Sequence, residues 1–337
     1  MIALVVFSML LTTFSFYFYQ MFNGSNVLLE KENQVITIKK GESFGDLRAR
    51  LYDGELIQDA LSFSFVAKVL GYQEAVKPGV YLLEKGMSNL NLVRRLRAGD
   101  QVPVRITFNN VRLKPELAEK ITTNTGLAAS DFEALLNDDN FLEKYNLNTE
   151  NSLSVFLPNT YEVYWTITAE ELFDKMYKEY EKYWTAERKQ KAAALELTPT
   201  EVSVLASIVQ AESTQSDEKR TIAGLYINRL NRNIHLQADP TLVYALGDFT
   251  IQRVLNVHKN IESPYNTYKY RGLPPGPINL PTLTSLDAVL NYEEHNYIYM
   301  CAKEDFSGYH RFATNLTDHN RNARKFQQAL NRRLIFK

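Results

Sequence analysis

A glutamate held against apolar side chains is the pattern in this chain with the clearest chemical use. Val202, Leu205, Ala206 and Val209 recur at the i, i+3, i+4, i+7 spacing of a buried helix face. Glu212 stands three residues after Val209 and seven after Leu205, at the flank of that face and one turn beyond Ile208. Desolvation disfavours the charged form of a carboxyl, so a carboxyl placed there tends to keep its proton near neutral pH. A general acid needs that property. The same spacing suits an exposed glutamate near a helix end, and periodicity alone leaves both readings open. Thr198-Pro199-Thr200-Glu201 supplies the helix start. Thr198 can cap, Pro199 fits the first helical position and Glu201 completes a capping box.

The polar residues that could surround Glu212 lie downstream. Ser216-Asp217-Glu218 opens a second helix with Ile222, Ala223, Tyr226, Ile227 and Leu230 on its inner face. His235-Leu236-Gln237-Ala238-Asp239-Pro240-Thr241 reads as a polar turn, in which Asp239 is either a second functional carboxylate or a turn-former before Pro240. Ser263-Pro264-Tyr265-Asn266-Thr267-Tyr268 and Arg271-Gly272-Leu273-Pro274-Pro275-Gly276-Pro277-Ile278 follow. Five of the eleven prolines fall between Pro264 and Pro281. That density stiffens the backbone while denying it regular structure. Such a loop is a wall of a binding groove or a wrap over the core.

Composition removes several classes. The 337 residues carry 38 basic and 39 acidic side chains, a net charge of −1 that gives no general attraction to nucleic acid. A single cysteine, Cys301, excludes an internal disulfide and a cysteine-based zinc site. The five histidines (235, 258, 295, 310 and 319) show no metal-ligand spacing. No dinucleotide or phosphate-loop glycine pattern occurs, so no metal and no cofactor is expected. Ser213 follows Glu212 without a nucleophile elbow around it.

The elements that must position these residues begin with an apolar run. Ile2 to Phe22 is free of charge and long enough to cross a bilayer as a helix. Aromatic residues crowd its C-terminal end, where an interfacial belt would lie. It has neither the basic start nor the small-residue cleavage site of a signal peptide, so an uncleaved anchor over 1–22 is expected. No Lys or Arg precedes the span, so charge does not orient it. Residues 23–34 read as a polar linker. From Ile36 to Gly99, strands at 36–38 and 81–83 alternate with helices that carry Phe44, Leu47 and Leu51, then 60–70, then Leu92, Val93 and Leu96. That is a small α+β unit over 35–102. A larger unit follows over 103–337, in which 103–165 is a candidate subdomain with a strand at 104–108. Residues 169–195 read as one solvated amphipathic helix. The fold class is therefore α+β, with an N-terminal transmembrane helix, a small α+β module and a mixed α+β domain with a helical core.

The run Leu205-Ala206-Ser207-Ile208-Val209-Gln210-Ala211-Glu212-Ser213 resembles the catalytic helix of the MltG (YceG-like) family of endolytic murein transglycosylases. Tyr226-Ile227-Asn228-Arg229-Leu230, Leu236–Thr241, Ser263–Tyr268, Gly272–Ile278, His310-Arg311-Phe312 and Asp318-His319-Asn320 resemble further blocks of that family, in the same order. Asn159 stands where the family usually has an acid, and Asp318 where it has Glu. The resemblance implies a membrane anchor, a LysM-like glycan-binding module at 35–102 and a catalytic domain at 103–337. It implies a body on the cell-wall side of the cytoplasmic (inner) membrane, with peptidoglycan glycan strands as substrate and peptidoglycan synthases as candidate partners. Glu212 would be the catalytic acid and base. Gln237, Asp239, Tyr265, Asn266, Tyr268, His310 and Asn320 would bind substrate. The reaction would cut the MurNAc–GlcNAc bond within strands, leaving a 1,6-anhydroMurNAc end. The alternatives are a lysozyme-like hydrolase that uses Asp239 as its second carboxylate, and a glycan-binding scaffold without catalysis.

Overall fold

The computed structural model describes residues 1–251 and 253–332. These form a mixed α+β chain divided into two compact units. The first comprises Met1–Ile106, Thr122–Ala128 and Tyr161–Thr168, and the second holds the rest.

The first unit opens with α1 (Ile2–Asn23), followed by β1 (Asn33–Ile38), α2 (Phe44–Asp53), α3 (Ala60–Val69), β2 (Gly79–Glu84) and α4 (Asn89–Ala98). Strands β1 and β2 pair antiparallel, with Ile36 opposite Tyr81. Ser43, Asp59 and Ser88 cap α2, α3 and α4 by accepting from backbone N–H groups of the first turn. The inner faces of these elements bury Ile36, Ile38, Leu47, Leu51, Phe63, Val66, Tyr81, Leu92 and Leu96 in one core.

Part of the stretch after α1, expected as a short polar linker, is packed into this unit. Val27 and Leu29 join the core. Ser25 bridges to Ser88 and Val27 to Ile57. Asn26 is buried, and its amide donates to Asn89 Oδ1 at 2.6 Å and to the Asp59 carbonyl at 3.1 Å. Asn89, also buried, donates to the Met21 carbonyl at 3.0 Å and to Ser62 Oγ at 2.9 Å. Asn26, one of the polar residues that gave the stretch a linker composition, is thus an interior hydrogen-bond partner, and through Asn89 it is joined to the last turn of α1.

The remaining elements are β3 (Val104–Phe108), α5 (Lys114–Thr122), α6 (Ala129–Leu136), α7 (Asp139–Leu142), β4 (Asn159–Val163), α8 (Ala169–Tyr183), α9 (Ala186–Ala194), α10 (Pro199–Glu212), α11 (Lys219–Asn231), α12 (Asp239–Leu246), α13 (Leu283–Leu290), β5 (Tyr299–Ala302), β6 (His310–Ala313) and α14 (Leu316–Arg332). Strand β3 pairs with β4, and β5 pairs antiparallel with β6. The helix expected over 169–195 is two helices. Trp184 is buried between them, and Thr185 starts the second by capping Arg188 N. The turn expected at 235–241 becomes helical from Asp239, because Pro240 fits a first-turn position. At the centre of the second unit, α10 packs against α11, α12 and α13.

Asn89→Ala leaves Asn26, Ser62 and the Met21 carbonyl short of partners inside the first unit. Orphaning buried polar groups costs about 1–3 kcal/mol. Denaturant unfolding of the full chain should show a loss of that order, whereas an exposed polar-to-Ala change on α2 should show almost none.

Candidate active site

Helix α10 begins with the capping box read from the sequence. The Glu201 backbone N–H donates to Thr198 Oγ1 at 3.2 Å, and the Thr198 N–H donates to the Glu201 carboxylate at 2.8 Å. Every residue from Val202 to Val209 is buried, so the helix is fixed on several sides and ends at Glu212. The Glu212 side chain faces a cavity of about 240 Å³. Tyr226, Arg229 and Leu225 of α11, Leu236, Gln237 and Asp239 of the following turn, Tyr268, the β5 segment 300–302 and His310 of β6 complete its lining.

The Tyr226 hydroxyl donates to Glu212 Oε1 at 2.5 Å. Burial raises the Glu212 carboxyl from 4.5 to about 7. The Tyr226 hydrogen bond pulls against that rise, the negative charge of Asp239 adds to it, and His310 and Arg229 oppose it. Desolvation is the largest of these effects and decides the direction. Burial and the nearby Glu212 push the Tyr226 hydroxyl well up, so it stays a donor.

Arg229 is buried and braces the rim. Its Nε donates to the Ile298 carbonyl at 2.6 Å, and Nη1 donates to the carbonyls of His235 and Leu236, both at 2.9 Å, and to Gln237 Oε1 at 3.3 Å. Its guanidinium lies over the Tyr299 ring, 5.4 Å from the centroid. Gln237 adopts a left-handed backbone with φ of 53°, which is uncommon for a non-glycine residue. The Gln237 N–H donates to the Thr267 carbonyl at 3.1 Å, and the Ala238 N–H to Thr267 Oγ1 at 3.0 Å. Those bonds hold the turn while Gln237 and Asp239 reach the cavity. The Tyr268 hydroxyl donates to Asp239 Oδ1 at 2.5 Å, and burial raises the Tyr268 hydroxyl further. On the opposite side, Glu218 is buried. It accepts from the His310 backbone N–H at 2.7 Å and pairs with His310 Nδ1 at 2.8 Å.

The structure therefore brings Glu212, Gln237, Asp239, Tyr268 and His310 to one cavity. Tyr265, Asn266 and Asn320 do not line it. Asn266 is 0% exposed, and its amide donates to the carbonyls of Lys259 and Ile261 at 2.9 and 2.8 Å. Its Oδ1 accepts from the Tyr268 N–H at 3.0 Å, so it shapes the loop that carries Tyr268. The Tyr265 hydroxyl donates to Glu150 at 3.0 Å, and its ring packs on Tyr244. Asn320 is exposed on α14. The end of the proline loop wraps α10: the Ile278 N–H donates to Ser207 Oγ at 3.0 Å and Asn279 Nδ2 to the Ser207 carbonyl at 2.8 Å. A Cβ at Gly276 would lie 1.9 Å from the Glu150 carbonyl oxygen, so this loop has no room for a side chain there.

Sequence reasoning gave no site role to Tyr226, Arg229 or Glu218. A signal was present for two of them. Tyr226 and Arg229 are three residues apart on a helix whose face is otherwise apolar, and an arginine on such a face must find buried partners.

The raised Glu212 carboxyl has a consequence for stability. Between 4.5 and about 7 the folded chain binds a proton that the unfolded chain releases. The contribution of Glu212 is therefore fully present at low pH and is lost as pH rises through 7. Glu212→Gln should melt higher than the parent at pH 8, and the gap should close below pH 4.5 in thermal melts across that range.

Comparison with known proteins places this site in a family. The YceG-like family model matches residues 36–325. A Streptococcus pneumoniae protein named endolytic murein transglycosylase is 29% identical, over 95% of this chain and 64% of its own length. A Bacillus subtilis protein of the same name is 28% identical, over 90% of this chain and 88% of its own. The crystal structure of a YceG-like protein from Listeria monocytogenes superimposes with a TM-score of 0.58 at 27% identity, covering 87% of this chain and 99% of that one. The chain thus spans less than two thirds of the pneumococcal relative's length and nearly all of the Listeria structure. With a match that runs through both units and includes every residue of the Glu212 cavity, the chain belongs to the YceG-like family.

Proposed function

We propose that this chain is a membrane-anchored lytic transglycosylase that cuts peptidoglycan glycan strands internally, with Glu212 as acid and then base. The observation that carries the reading is the carboxyl at the end of α10, raised to about 7 in a polar cavity and hydrogen-bonded by Tyr226. The relatives named endolytic murein transglycosylase supply the substrate class.

In this reading Glu212 donates its proton to the oxygen of the MurNAc–GlcNAc bond. The bond from MurNAc C1 to that oxygen breaks, and the GlcNAc side leaves as an alcohol. The C6 hydroxyl of the same MurNAc attacks C1, and its proton passes to the Glu212 carboxylate. The product is a 1,6-anhydroMurNAc end, and Glu212 finishes protonated as it began. A group poised near neutral pH suits both steps. Gln237, Tyr268 and His310 orient the sugar from the cavity wall. Tyr265 and Asn266 act through the loop that presents Tyr268.

A second reading has one specific observation in its favour. Asp239 shares the cavity with Glu212, and two carboxylates across a glycosidic bond are the ordinary means of hydrolysis. Against it, the Tyr268 hydroxyl already occupies Asp239 Oδ1.

The remaining parts of the proposal concern placement. Helix α1 is 22 residues long, apolar and without a buried residue, which supports a single membrane span; the murein named for the relatives supports a body on the cell-wall side. The strand–helix–helix–strand order of β1, α2, α3 and β2, closed by an antiparallel pair, supports a LysM-like glycan-binding module. Such an enzyme would act beside the synthases that extend the strands.

Digestion of purified glycan strands by the full chain, with mass spectrometry of the ends, tests the chemistry. Anhydro ends, one water lighter than reducing ends, are expected. Glu212→Gln should lower the rate by about 10²–10⁴-fold or more. Asp239→Asn should lose less, because an intramolecular attack needs no second carboxylate. Reducing ends as the main product, with equal loss in both variants, would replace the transglycosylase by a two-carboxylate hydrolase.

A further inference from the structure

Helix α3 is apolar on both faces. Its inner face buries Phe63, Val66 and Ala67 in the core of the first unit. Its outer face carries Leu61, Phe65 and Val69, which are 80%, 41% and 56% exposed. These three are spaced by four residues and so form one stripe along the helix. Lys68 is the one charged residue of α3, and no acid lies within the helix. An apolar stripe of this kind on a small folded unit marks a surface meant to be covered.

What covers it follows from its neighbour. The Phe65 ring lies 6.3 Å from the rings of both Phe18 and Phe22, edge to face in each case. Those two rings belong to the C-terminal end of α1, none of whose residues is buried. An apolar groove of about 510 Å³ runs along the same end, walled by Phe14, Phe18 and Phe22 and by Leu90 of α4. Arg94 stands one turn beyond Leu90 on α4 and is exposed. The junction is also held: Asn89 donates to the Met21 carbonyl and is joined to Asn26 and Ser62. The depth of α1 in a bilayer therefore sets the depth of Phe65 and its stripe.

We propose that the outer face of α3 lies in the interfacial layer of the bilayer that α1 crosses, seating the first unit on the lipid surface. The inference rests on the reading of α1 as a membrane span. Leu61, Phe65 and Val69 enter the boundary between headgroups and acyl chains, and an acyl chain fills the groove between α1 and Leu90. Lys68 and Arg94 keep their charges among the lipid phosphates while their stems lie along the apolar boundary. The module's free surface then faces away from the membrane, where glycan strands run.

The test uses the full chain reconstituted in vesicles of phosphatidylcholine and phosphatidylglycerol. Leu61→Trp places a reporter on the stripe, and Leu10→Trp places one within α1. Leu61 is so exposed that the change should leave the fold intact, and the fluorescence of the parent's two tryptophans is subtracted. Lipids brominated near the headgroup end of the acyl chain should quench most of the Leu61→Trp signal, and lipids brominated deeper should quench Leu10→Trp. Quenching of Leu10→Trp by lipid, with Leu61→Trp quenched only by a water-soluble agent, would overturn the seating while leaving the span intact. If neither reporter is quenched by lipid, the span itself is wrong and the seating falls with it.

Discussion

The hydrogen bond between the Tyr226 hydroxyl and Glu212, made where a buried helix ends at the cavity, is the constraint that organises the second unit. A carboxyl there loses most of its hydration, and the cost falls on its ionised form. One good donor limits that cost without cancelling it, which leaves the group near 7 instead of 4.5. Keeping the balance requires that α10 and α11 hold their relative positions closely, since a hydrogen bond weakens steeply with distance and angle. The surroundings provide this. Ser207 and Gln210 of α10 bind the chain at Ile278, Asn279 and Thr282, and Lys219 of α11 donates to Ser285 of α13 at 3.0 Å. Arg229 then secures the turn that carries Gln237 and Asp239.

Much of α10 was legible in the sequence, because its signals are local. The capping box, the first-turn proline and the apolar periodicity each depend on residues within one or two turns, and each is realised. The carboxyl's position at the flank of the apolar face follows from the same periodicity. The packing of residues 23–34 was not legible, for the opposite reason. Asn26 is polar by composition, but its partners Asp59 and Asn89 are 33 and 63 residues away, and no local pattern announces such a meeting. The break between α8 and α9 was hidden in the same manner, since Trp184 and Thr185 look like continuing helix until Thr185 caps the next turn.

The site was legible to a similar depth. Gln237, Asp239, Tyr268 and His310 reach the cavity from three separate segments, which the resemblance to a family brought together before any geometry did. Asn266 shows why residue type alone is a weak guide. A side chain suited to binding sugar is equally suited to satisfying buried backbone, and here all of its polar atoms serve the loop. Tyr226 read as one more apolar helix position because its ring is indeed buried, and only the structure shows where the hydroxyl points. The two units share this economy: in each, a few buried polar side chains fix the end of a helix, Asn26 and Asn89 at α1 and Tyr226 at α10.

The account rests on the ionisation of one carboxyl, and infrared difference spectroscopy reads it directly. Subtracting the Glu212→Gln spectrum from the parent's across a pH series isolates the carbonyl stretch of protonated Glu212. A midpoint close to 7 is the predicted result, with the band moving to higher pH in Tyr226→Phe as the stabilising donor is lost. A midpoint near the ordinary 4.5, unmoved by Tyr226→Phe, would contradict the claim that burial against Tyr226 prepares Glu212 to act as an acid.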